Sequence, residues 1–206
     1  MGLRPALSVA LLAFAVVSTV GASPETVYIE FYERTETIQK RLELLQELTE
    51  RELGTEFWDY IFSDLYMYRS STHDVRELAL VEQSLVLVLN QFSVDSPTAY
   101  PDRVFSIARQ NCGMDLKVAA IVATGKLEIP EAHEWVAESL MQLTMAPGAD
   151  MCCDHRLAEA FIVSLYYTDH ELAEPALMMA GSEFNWFPDR IRDRAVAISR
   201  ARAQRQ

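Results

Sequence analysis

Met151-Cys152-Cys153-Asp154-His155 puts a thioether, two thiols, a carboxylate and an imidazole into five consecutive residues. Thioether and thiolate ligands favour monovalent copper, and Met141, Met145, Met178 and Met179 fall in the flanking stretches. Met151, Cys153 and His155 are therefore the candidate soft-metal ligands. Against them, a structural metal site repeats its ligand pair at a fixed spacing, whereas Cys152-x-x-His155 stands without a second cluster. Methionines at helical spacing ordinarily fill gaps in a core. The Cys-x-x-Cys-His run of haem attachment is missing, and no cofactor is expected.

The remaining chemistry-bearing residues lack the spacing that catalysis needs. None of the four histidines follows a glutamate by three residues, which removes the paired Glu-x-x-His of di-iron bundles. His133-Glu134-Trp135-Val136-Ala137 starts like a zinc-protease helix but has Ala137 where the second histidine belongs. Glu138-Ser139-Leu140-Met141-Gln142-Leu143 resembles the catalytic Glu-Ser and the later Gly-Leu-Met-Gln-like segment of soluble lytic transglycosylases, here fused into one run. The resemblance implies a cell-wall hydrolase with Glu138 as its acid, but the loop that would build its cleft is missing. With no phosphate loop, Gly-x-Ser-x-Gly elbow or dinucleotide fingerprint, no catalytic residue is nominated.

The start of the chain indicates where these residues would act. Arg4 is the only charge before Glu25, and the apolar run Ala6–Val20 ends in Val20-Gly21-Ala22, the pattern of a secretory signal cleaved after Ala22. The run is shorter than the roughly 20 residues that span a bilayer. Residues 1–22 are expected to be a signal peptide and 23–206 a single all-helical domain, secreted or periplasmic, without a transmembrane segment in the mature chain. In an oxidising compartment the three cysteines, Cys112, Cys152 and Cys153, are disulfide candidates. A bridge from Cys112 to one of the adjacent pair closes a loop of about 40 residues and stabilises by roughly 3–4 kcal/mol on the chain-entropy account. The odd thiol offers a route to a homodimer.

Charge narrows the partners. The chain carries −12, and loss of Arg4 leaves −13. Arg190, Arg192, Arg194, Arg200, Arg202 and Arg205 against Asp189 and Asp193 make the last stretch basic, so residues 23–188 carry −17. An acidic body repels phosphate backbones, and nucleic acid is not expected as a partner. The basic tail reads as a terminal helix lying on that body, or as a docking peptide.

These residues must be positioned by helices. Ser23-Pro24-Glu25 is an N-cap followed by a first-turn proline, and one helix is expected to run from there to Leu53, stopped by Gly54. The strand-like Val27–Tyr32 falls inside that helical period. Further helices are expected from Thr55 to Tyr68, from Ser71 or Thr72 to about Gln91, and over Pro101–Gln110, Asp115–Thr124 and Pro130–Met145. Others follow from Asp150 or Asp154 to Tyr167, from Asp169 to Ala180 with Pro175 as an internal break, and from Asp189 onward. The fold class is all-α, an irregular multi-helix bundle of antiparallel hairpins, with a short HEAT- or TPR-like solenoid as the alternative.

Six aromatics between Phe57 and Tyr68 exceed what one helix face buries. Trp58, Phe62 and Tyr66 share a face, while Tyr60 and Tyr68 point elsewhere. Trp58, Tyr60 and Tyr68, with Arg192 and Arg200 of the tail, are the candidate binding residues. The expected function is that of an exported helical binding or scaffold protein for a protein or peptide partner. A soft-metal or small-ligand carrier built on Met151–His155 comes second and a hydrolase third.

Overall fold

The structure, a computed structural model, describes residues 23–146 and 151–205, apart from the side chains of 151–153. The expected leader over 1–22 lies outside the described residues. Within them the chain forms ten helices and no strand. They are α1 (Pro24–Arg34), α2 (Ile38–Leu48), α3 (Thr55–Ser71), α4 (Val75–Leu89) and α5 (Pro101–Arg109), then α6 (Met114–Thr124), α7 (Pro130–Met145), α8 (Met151–Tyr167), α9 (Ala173–Gly181) and α10 (Asp189–Ala203). The all-helical bundle expected from the punctuation is what forms. None of the described helices is long and apolar enough to cross a membrane. The chain divides into two compact units, residues 1–87 and 88–206.

In the first unit, the single helix expected from Ser23 to Leu53 is two helices. Ser23 Oγ accepts from Thr26 N at 3.3 Å and opens α1 as anticipated. Thr35 then leaves the helix with φ −79° and ψ 111°. Thr37 restarts it, its side chain accepting from Lys40 N at 3.4 Å. Threonines compete for backbone hydrogen bonds more readily than they continue a helix, and Thr35-Glu36-Thr37 acts as a stop followed by a cap. The break lets α2 bury Ile38, Leu42, Leu45 and Leu48 as one stripe. Asp64 of α3 closes the corner by accepting from Tyr32 Oη at 2.8 Å and from Arg41 Nη1 at 3.0 Å. The cap of α4 is neither Ser71 nor Thr72 but Asp74, whose Oδ1 accepts from Arg76 N and Glu77 N at 2.7 and 3.0 Å.

The second unit is arranged in two layers. Helices α6, α8 and α10 pack in succession, α7 packs on α9, and each of these helices also meets the next in the chain. Next and next-but-one packing is the order of stacked helical hairpins. The starts of α6, α8 and α10, at 114, 151 and 189, lie 37 and 38 residues apart. Phe105, Trp135 and Phe161 form an edge-to-face chain, at 5.6 and 5.4 Å between centroids, linking α5, α7 and α8. Pro175 does not break a helix: α9 starts at Ala173, so the proline sits in the first turn, where its missing N–H costs nothing.

Gly125, which ends α6, lies directly against Ser164 of α8. A Cβ there would collide with the Ser164 carbonyl oxygen and hydroxyl. Its φ of −65° is ordinary, so glycine is required for space and not for conformation. At Gly181 the equivalent Cβ would meet Val196 Cγ2 at 2.8 Å, the tip of a side chain that can turn aside. Gly125→Ala should therefore lower stability by about 1–3 kcal/mol in a urea melt, and Gly181→Ala by clearly less. Equal midpoints for the two variants would show that the α6–α8 approach is not the tight one.

Candidate functional site

The aromatic stretch on α3 turns inward. Trp58 is 3% exposed and packs edge-on against Phe57 at 4.9 Å. It belongs to the core of the first unit and is not available to a ligand, because an indole among Ile61, Phe62 and Leu65 is retained by burial. Tyr60 is 38% exposed, and its hydroxyl donates to Glu33. Tyr68 donates to Glu77 at 2.9 Å, an oxygen that Thr72 Oγ1 also reaches at 3.2 Å. The candidate tyrosines are thus each committed to a carboxylate of their own unit. Burial and then Asp64 hold the Tyr32 phenol well above its usual range. The hydrogen bond to Glu33 pushes Tyr60 up to about 12.

Most of the arginines on α10 are likewise engaged. Arg190 meets Glu159 at 2.6 Å, and Arg192 holds Asp189 and donates to Phe187 O at 2.9 Å. Arg202 reaches the end of α8 and donates through Nη1 to the carbonyls of Leu165 and Thr168. Burial pulls its pKa down from the ordinary value. Arg205 lies over the Tyr166 ring at 4.1 Å. The last helix therefore lies on its own unit, with guanidinium groups satisfying the orphan carbonyls that end α8. Arg194 and Arg200 are exposed on the same helix.

Cys112 is half-buried after α5, its Sγ 3.9 Å from Ile107 O. The side chains of Met151, Cys152 and Cys153 lie outside the described residues, and with them the expected disulfide and two of the three soft-metal ligands. His155 is stacked on Trp186 at 5.1 Å between ring centroids and 23° between planes. Among the described residues no three or more His, Cys, Asp or Glu side chains are grouped to hold a metal ion. Glu138 is exposed on α7, and His133 sits half-buried in its first turn with burial lowering its pKa.

One groove emerges that the sequence reading did not single out. It encloses about 290 Å³ and is lined by Val118 and Val122 of α6, by Arg156, Glu159, Ala160 and Val163 of α8, and by Arg194 of α10. The core of α6 is its opposite face, where Leu116, Ala119, Ala120, Ile121, Ala123 and Thr124 are buried. Val118 and Val122, one turn apart, are left half-exposed. On α8 the four lining residues recur at intervals of three, one and three, which is one helical stripe. Ion pairs fix the rim: Arg156 holds Asp115 across α6 and α8, and Glu159 holds Arg190 across α8 and α10. The sequence shows only Val118 and Val122 at a four-residue spacing, which does not say which face of α6 is solvated.

Comparison of the chain with protein-family models, with curated proteins and with solved structures finds no match.

The carboxylate-bound phenol gives a direct check on the first unit. The Tyr60 pKa is raised above its ordinary 10.0 to about 12. The folded state therefore retains a proton that the unfolded chain loses, and the stability this contributes is complete below pH 10 and lost as the pH rises toward 12. Difference titration of phenolate absorbance between the wild type and Tyr60→Phe should show a group with a midpoint near 12 that moves down toward 10 in Glu33→Gln. A Tyr60 midpoint already at 10 in the wild type would remove the pairing with Glu33.

Proposed function

We propose that the protein is an exported helical binding module whose second unit holds an extended peptide segment of a partner protein in the groove across α6, α8 and α10. The observation that carries the reading is the apolar floor. Val118, Val122 and Val163 are half-exposed on the outer faces of two adjacent helices, with the ion pairs at the rim rather than over the floor. A solvent-facing stripe of this kind is costly to leave wet and gains by being covered. An open groove of about 290 Å³ is small for an enclosed metabolite site but accommodates one or two side chains of a peptide lying across the helices. Stacked helical hairpins present such surfaces along one layer. Export is supported by Arg4, the Ala6–Val20 run and the small residues before Ser23.

Selection of a displayed random peptide library against the full chain tests this reading. The wild type should enrich peptides that share a short motif, and Val163→Lys, with unchanged helicity by circular dichroism, should bind those peptides at least tenfold more weakly, since a desolvated ammonium on the floor opposes burial. A library that fails to converge on the wild type, or peptides that bind Val163→Lys equally well, would count against the groove.

A further inference from the structure

The charges around this groove point to the chemistry of its occupant, an inference that rests on the binding reading above. Two of the three arginines at the groove are matched within the protein, Arg156 by Asp115 and Arg190 by Glu159. Arg194 lines the groove from α10, is exposed, and makes no hydrogen bond or ion pair among the described residues. Arg194 belongs to the basic last stretch, which sets an unmatched guanidinium beside half-exposed valines of a body, residues 23–188, that carries −17. Arg200 provides the comparison: it too is exposed without a partner among the described residues, but it does not line the groove.

A guanidinium presents a planar fork of donors that a carboxylate matches with two parallel hydrogen bonds. Apolar walls strengthen that pairing by excluding water on one side. Asp115 and Glu159 stand at the same rim, which suits a singly charged carboxylate better than a dianionic phosphate. Repulsion from the acidic body is screened beyond about 8 Å at physiological ionic strength and leaves a local pair intact. We propose that the groove selects peptides in which an Asp or Glu lies next to a small aliphatic side chain. Arg194 reads the carboxylate, and Val118, Val122 and Val163 receive the aliphatic group.

The test repeats the library selection with the full-length wild type, Arg194→Glu and Arg200→Glu, two variants with the same change in net charge. Peptides enriched on the wild type should carry an acidic residue beside Val, Ile or Leu, and synthetic copies should bind Arg194→Glu roughly tenfold more weakly by fluorescence anisotropy. Replacing their acidic residue with lysine should restore binding to Arg194→Glu. Arg200→Glu should enrich the same peptides as the wild type. A wild-type motif without an acidic residue, or equal losses in the two variants, overturns the carboxylate assignment while leaving the groove in place. A wild-type selection that does not converge overturns the groove itself.

Discussion

The second unit depends on how closely two helices approach. With no side chain at Gly125, the end of α6 comes against the backbone of α8 at Ser164. The approach has a polar cost, because Ser164 Oγ is buried without a hydrogen-bond partner among the described residues. It also brings the outer faces of α6 and α8 side by side, so that Val118 and Val122 meet the stripe from Arg156 to Val163. A wider spacing would leave two solvated ridges where there is now a groove. The rim follows from the same spacing, since Asp115 on α6 reaches Arg156 on α8 only when the two helices are neighbours.

Charge is organised around this frame and not spread evenly over it. The chain is acidic, yet six arginines gather on α10 and just beyond it, and Arg190, Arg192, Arg202 and Arg205 contact groups within the protein. Part of the tail is attached to its own unit, with Arg202 at the end of α8 and Arg190 on Glu159. The aromatic stretch behaves in the same way. Trp58 goes into the core, while Tyr60 and Tyr68 turn their hydroxyls to Glu33 and Glu77. Residue types that suggest binding in a linear sequence are often satisfied by the fold itself: Tyr60 and Tyr68 by carboxylates of other helices, Arg192 by Asp189 of its own helix and the Phe187 carbonyl.

The helices were legible because their ends are written locally. Ser23 with Pro24, Pro130 at the first position of α7 and Pro188 before α10 are start signals that need no tertiary information, and α7 begins and ends where its punctuation places it. The differences have local causes: Thr35 and Thr37 divide α1 from α2, Asp74 caps α4, and Pro175 marks a helix start at Ala173 where a break inside a longer helix is expected. The groove was much less legible. Its residues lie on three helices far apart in sequence, and a valine that faces solvent cannot be told from one that faces the core until the opposite face is known to be buried. The 37- and 38-residue spacing of α6, α8 and α10 was obscured because the helices differ in length and the other layer does not keep it.

The grip of Arg202 on Leu165 and Thr168 ties the end of α8 to a residue far along the chain. In the second unit, α8 receives the guanidinium that satisfies its final carbonyls, and the neighbour that covers one of its sides, from α10. Without that contact the carbonyls of Leu165 and Thr168 lose their donor, so the second unit is latched by one guanidinium that spans 34 and 37 residues of chain.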